Sequence, residues 1–296
     1  MKTRLNAVLI MFVSIILLMG CKQGGRYNLS GGSDSISLGD IKPLVHSYDT
    51  LGEGLPIFYN MYLSVEMSTL FQASGAVFKP ELLNSADNMG DYVTSSKKAL
   101  NLGVYAVDLS YSKVFEQYET ASIYFSAMQK MAEELGIPAD YFENTANRFE
   151  RNINNKDSLI TIANEVYMET DRYLRENERY SAAAQIILGG WVEAIQIAVD
   201  VAVSTRDINI IERLAEQRTS LTNVIAMLND YADDVAINQN LQKLKQLQPL
   251  FDSFIVKLDN KFDPASASGR KIIQDYLVKV DEIGRQIKAI RKEIVS

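Results

Sequence analysis

The spacing of apolar residues in the last third of the chain most constrains the fold. Ile273, Tyr276, Val280, Ile283, Ile287, Ile290 and Ile294 follow one another in alternating steps of three and four. Leu244, Leu247, Phe251, Phe254 and Leu258 keep the same rhythm, and Ile211, Leu214, Leu221, Ile225 and Leu228 stay on one helical stripe. Such spacing gathers the apolar side chains along one seam of a helix; on a strand it would scatter them over both faces. It is also the heptad pattern of helices in long, shallow contact. No segment combines period-two alternation with β-branched residues and turn signals. The chain has only six prolines, and Pro56, Pro80, Pro138 and Pro264 fall where helices would stop or start. The expected fold is all-α: a multi-helix bundle of eight to ten helices with heptad-patterned C-terminal helices.

Local signals set approximate boundaries. A first helix is expected over 57–73, and Pro80 begins a short one at its first turn. The apolar stretch 92–135 reads as two helices broken near 117–119 and ended by Gly136-Ile137-Pro138. Asp140 and Glu143 have capping-box spacing for the next helix. Helices are then expected over 156–177 and 178–204, and from a cap at Asp207 or Asn209 to about 231. The short loop 259–268 makes the last two helices antiparallel neighbours. Gly103-Val104-Tyr105 and Gly189-Gly190-Trp191 each open a strongly apolar helix, a pattern that duplicated halves would produce.

Two helices are apolar around most of their circumference, the mark of buried central helices. Over 100–115 the polar exceptions form a stripe of Asn101, Tyr105, Asp108 and Ser112; over 186–203 they are Glu193, Gln196 and Asp200. In one reading each stripe is the narrow solvent-facing edge of a mostly buried helix. In the other, Asp108 and Glu193 face each other inside and bind a cation or small ligand, or share a proton. Candidate ligand-binding residues are therefore Asp108, Glu193, Tyr105, Gln196 and Asp200. Tyr105, Tyr111, Tyr118 and Tyr124 cluster in sequence; they read as core residues with hydroxyls at the rim, or as a stacking groove. Gly189-Gly190 disfavours helix by about 1 kcal/mol per glycine, which points to close packing or a kink.

Composition excludes much chemistry. Cys21 is the only cysteine and His46 the only histidine. An intrachain disulfide, a thiolate metal centre and a Glu-x-x-His di-iron bundle are all ruled out. A Ser-His-Asp triad would have only His46 to use. There is no P-loop, dinucleotide fingerprint or Gly-x-Ser-x-Gly. No cofactor, metal site or catalytic residue is expected. The chain carries 30 basic and 37 acidic residues, a net charge of −7. Nucleic acid is therefore not an expected partner, because phosphate binding needs a positive field.

The N-terminus supplies an address. Lys2 and Arg4 precede an apolar run over 5–19 and Gly20-Cys21, the layout of a secretory signal. The run is short of the roughly 20 residues that span a bilayer. Leu18-Met19-Gly20-Cys21 resembles the lipobox of bacterial lipoproteins, with Leu and Gly at the usual positions and Met a departure. The resemblance covers residues 1–21 and implies cleavage before Cys21 followed by diacylglyceryl and acyl (palmitate-type) modification. Loss of Lys2 and Arg4 would leave 28 basic against 37 acidic residues, a net of −9. Lys22, where an Asp would mark inner-membrane retention in such lipoproteins, implies the outer membrane, with the domain facing the periplasm. Residues 22–39 are rich in Gly and Ser; as an 18-residue coil they span about 20–25 Å on average. The expected organisation is a signal peptide over 1–20, a lipidated Cys21 with its tether to 39, and one helical domain over 40–296 that could divide near 205.

The leading expectation for function is a non-enzymatic, membrane-tethered binding or scaffold lipoprotein of the cell envelope, with another envelope protein as partner. The alternatives are a periplasmic small-ligand or cation binder using the Asp108 and Glu193 stripes, and last a carboxylate-dependent glycan hydrolase. A scaffold would show a large exposed apolar patch and no deep polar pocket. A binder would enclose a pocket lined by both stripes, and a hydrolase would have an open cleft.

Overall fold

The computed structural model describes residues 70–138, 148, 151, 173, 174 and 176–296. All belong to one compact unit, Glu53–Ser296. Cys21, the tether, His46, the helix start at Asp140 and most of the helices expected over 57–73 and 156–177 lie outside the described residues. Among the described residues the protein is all-α, with no strand. The helices whose bounds both fall among the described residues are α1 (Ser95–Val114), α2 (Tyr118–Glu134), α3 (Tyr180–Thr205), α4 (Ile208–Asn229), α5 (Val235–Ser253) and α6 (Ala267–Val295). Two short 3₁₀ turns, Pro80–Leu82 and Ala86–Asp91, lead into α1.

Side-chain caps explain most of the helix starts. The Thr94 hydroxyl accepts from the Lys97 amide at the start of α1. Asp207 caps α4, Asp234 caps α5 and Ser266 caps α6 in the same manner. Each satisfies an amide that the first turn leaves without an intrahelical partner. Left-handed residues end several elements: Glu116 between α1 and α2, Gly136 after α2, and Arg206 between α3 and α4. The break between α1 and α2 and the Gly136 stop fall where the sequence places them.

The C-terminal helices differ from expectation in detail. α5 ends at Ser253, so Leu258 is not part of it; Phe254 is already non-helical, yet stays buried in the core. On α6 every predicted apolar position is buried except the partly exposed Tyr276, whose hydroxyl accepts from the Lys257 amide. The ion pair Lys243–Glu293 and this Lys257–Tyr276 bond run in opposite sequence directions, which makes α5 and α6 antiparallel.

The centre of the fold is α3, which packs against α1, α4 and α6. An 18-residue window of this helix has a mean hydropathy of 1.8 and is long enough to cross a membrane, but 78% of it is buried inside the protein. It is a core helix. Trp191, Val192, Ile195, Val199 and Ala202 join one large apolar cluster with α4, α5 and α6. A second cluster, with Tyr105, Leu109, Tyr124 and Met131, fills the space between α1 and α2.

The two glycine-containing triplets do not open helices, as the sequence reading had them; both lie well inside α1 and α3. A Cβ on Gly103 would stand 1.9 Å from the Ile186 carbonyl oxygen, and one on Gly189 would stand 1.9 Å from that of Leu100. The triplets are thus the two sides of a single backbone-to-backbone crossing, which accounts for their similarity without duplicated halves. Farther along α3, a Cβ at Gly284 would meet Val199 Cγ1 at 2.6 Å, so α6 also approaches closely.

Candidate functional site

The α1–α3 crossing determines what happens to the polar stripes. Asn101, Tyr105, Asp108 and Ser112 all have 0% exposure, and so does Glu193. The reading of these residues as a solvent-facing edge is wrong: α1 turns its polar stripe into the protein. Close approach through Gly103 and Gly189 leaves no wet face between the two helices. Only Asp200, at the far end of the α3 stripe, matches the solvent-edge reading; Gln196 is partly exposed but buries its Oε1 without a hydrogen-bond partner among the described residues.

The structure brings Asp108 and Glu193 together. Their carboxyl groups are near enough for one to donate a hydrogen bond to the other when protonated. Arg291, from the last turns of α6, closes the group. Its Nε lies 2.5 Å from Glu193 Oε2 and its Nη2 lies 2.7 Å from Oε1, a two-pronged clasp that matches the flat guanidinium to the flat carboxylate. Nη2 also donates to the Leu82 carbonyl at 2.9 Å. Asp108 Oδ2 accepts from the Asn84 amide at 3.1 Å. Asp108 Oδ1 is buried and has no donor among the described residues.

A polar shell continues around this core. The Asn84 side-chain amide donates to the Tyr92 hydroxyl at 2.8 Å and to Asn101 Oδ1 at 3.1 Å. Asn101 in turn donates to the Ile294 carbonyl of α6 at 2.8 Å. Tyr124 donates to the Asn84 carbonyl and Tyr105 to that of Ser85, each at 2.9 Å. The network joins the 82–85 segment, α1, α2, α3 and α6. Tyr105, Tyr111 and Tyr124 are buried, as a core role requires, while Tyr118 is partly exposed. The rings of Tyr105 and Tyr124 lie 5.6 Å apart.

Burial drives the electrostatics. Asp108 is pushed well above the usual carboxylate range, first by loss of hydration and then by the neighbouring Glu193 charge; Arg291 and the Asn84 amide oppose this only in part. Burial works against the charged form of Arg291, but its bonds to Glu193 outweigh that and hold the guanidinium above its ordinary value. Desolvation likewise raises Tyr92, Tyr105 and Tyr124, so these phenols stay neutral.

Asp200 and Gln196 do not join this group through any hydrogen bond to it. Asp200 pairs with Lys79 at 2.5 Å, and both side chains keep partial contact with water. Sequence reasoning missed Arg291 and Asn84. A signal for Arg291 was present, because it stands four residues after Ile287 and three before Ile294, inside the apolar stripe of α6. Asn84 lies in an irregular connection, where no periodicity marks a buried polar side chain. Among the described residues no three His, Cys, Asp or Glu side chains form a metal-binding group. No family model matches the chain, and neither a curated protein nor a solved structure does.

Proposed function

We propose that the protein is a membrane-tethered helical binding or scaffold lipoprotein of the bacterial cell envelope, and that it is not an enzyme. The observation that carries the non-catalytic half is the two-pronged Arg291–Glu193 clasp over a fully buried Asp108. Carboxylates that act on a glycan must reach substrate and water. Here one carboxylate is occupied by a guanidinium and the other is enclosed by Asn84, Tyr105 and Tyr124. The group ties four helices together and leaves the folded surface for contact with another envelope protein. The anchor half rests on Leu18-Met19-Gly20-Cys21 and its flanks, with the outer membrane and a periplasm-facing domain as the proposed location. Two or more acyl chains hold firmly, since each buried CH2 contributes about 0.8 kcal/mol.

A cation or small-ligand binder built on Asp108 and Glu193 is the second reading, and the free Oδ1 of Asp108 favours it. Arg291 weighs against it, because the guanidinium already supplies the positive charge.

Membrane fractionation of the wild type and Cys21→Ala tests the anchor. The wild type is expected to float with lipid and the variant to appear in the soluble fraction. A variant that remained an integral membrane protein would overturn the lipoprotein reading. Calcium or magnesium titration monitored by thermal unfolding separates the second reading, which requires saturable stabilisation lost in Asp108→Asn.

A further inference from the structure

We infer that a proton held on Asp108 and directed at the Glu193 carboxylate works as a latch: it keeps the Arg291-bearing end of α6 seated on the Leu82 carbonyl, and its release loosens that seat.

An ionised Asp108 would hold Oδ1 in the interior with no donor, an arrangement that folded proteins avoid. A protonated Asp108 has no such defect, since its hydroxyl can donate to the adjacent Glu193 carboxylate while Oδ2 keeps the Asn84 amide. Charge counting agrees. Two buried carboxyls face one guanidinium, so one proton makes the group neutral as a whole. The raised titration of Asp108 is consistent with this.

The consequence is mechanical because of where Arg291 reaches. The same guanidinium that binds Glu193 also donates to the Leu82 carbonyl, and Asp108 itself holds the Asn84 amide. When the proton leaves to bulk water, a second negative charge appears in a site with one cation. Arg291 cannot serve both carboxylates in the geometry that satisfies Glu193 in two prongs, and its bond to the Leu82 carbonyl is the part free to yield, while the Asn84 amide keeps its bond to the ionised Oδ2. The other ionisable groups facing Asp108 are Tyr92, Tyr105 on α1 and Tyr124 on α2, all held neutral by burial. The C-terminal turn of α6 also receives Lys97, whose amine donates to the Glu293 and Ser296 carbonyls. Burial lowers Lys97, so it too loses charge as pH rises, but from the alkaline side and without touching Asp108. Glu293 pairs with Lys243 at the surface of the same turn.

Two readouts on the full chain test the latch across a pH series. Infrared spectroscopy of the wild type should show a carboxylic-acid carbonyl band persisting above the pH at which ordinary carboxyls have ionised. Hydrogen exchange at Leu82 and Leu83 and in the last two turns of α6, corrected for intrinsic rates, should accelerate over the interval in which that band disappears. In Asp108→Asn, which keeps a neutral side chain at every pH, the band should shrink to what the raised Glu212 carboxyl supplies, and exchange there should be flat below the pH at which Lys97 loses its charge. Asp108→Glu should restore the pH dependence. A wild type with no persistent acid band overturns the proposal whether or not the variants fold. Parallel pH profiles in wild type and Asp108→Asn overturn it as well.

Discussion

Two carboxylate–cation pairs stand seven residues apart on the same helix, and they show how little an ion pair means without its surroundings. Glu193 is wholly buried and binds Arg291 in two prongs, with the arginine side chain only 17% exposed. Asp200 binds Lys79 through one contact, with the two side chains 33% and 28% exposed. The first pair lies where α1, α3 and α6 converge, so both ions gave up most of their hydration and must be satisfied by protein. The second lies near the end of α3, where water still solvates both partners and salt screens them. The sequence presents Glu193 and Asp200 as one stripe, but packing makes the first a structural centre and the second a surface contact.

Removing the cation from each pair should therefore give very different results. Arg291→Ala strands a buried carboxylate and is expected to destabilise the protein by about 3–5 kcal/mol in denaturant unfolding. A loss below about 1 kcal/mol would show that water enters the site freely and that the contrast with Asp200 fails. The helix crossing that excludes water is the next target. Gly189→Ala forces a Cβ toward the Leu100 carbonyl and should destabilise by about 1–3 kcal/mol or more, because two backbones have to move apart.

Asp108→Asn sharpens the comparison through pH. The folded state binds the Asp108 proton more tightly than the unfolded state, so the stability this group contributes is fully present below the ordinary value of 3.8. It is lost as pH rises through the raised folded value. Unfolding free energies of the wild type should fall along that rise relative to Asp108→Asn, with the two proteins closest at acidic pH. The smallest effect belongs to the exposed pair: Lys79→Ala should change stability by about 0–1 kcal/mol and lose even that in high salt.

The long heptad helices were legible because their apolar side chains do one job at regular spacing. Ile273, Val280, Ile283, Ile287, Ile290 and Ile294 are all buried in the structure. The stripes of Asp108 and Glu193 were legible as exceptions on apolar helices. Their direction was not, because a polar stripe looks the same whether it meets water or another polar stripe. Deciding between the two requires knowing that Gly103 and Gly189 lie against each other's helices, and that is a tertiary fact. The place of Arg291 inside the α6 apolar stripe was a faint signal, because a basic residue near the end of an amphipathic helix is ordinarily a solvated one favoured by the helix dipole. Leu258 looked like one more heptad position, but α5 had already ended at Ser253.

The central claim, that Glu193 and Arg291 form a structural clasp in the core, is tested most directly by a double-mutant cycle of Glu193→Gln and Arg291→Met in denaturant unfolding. A buried clasp gives a coupling energy of about 2–3 kcal/mol between the two sites, with the double variant more stable than the sum of the single losses implies. Single effects that add to within about 0.5 kcal/mol would contradict it.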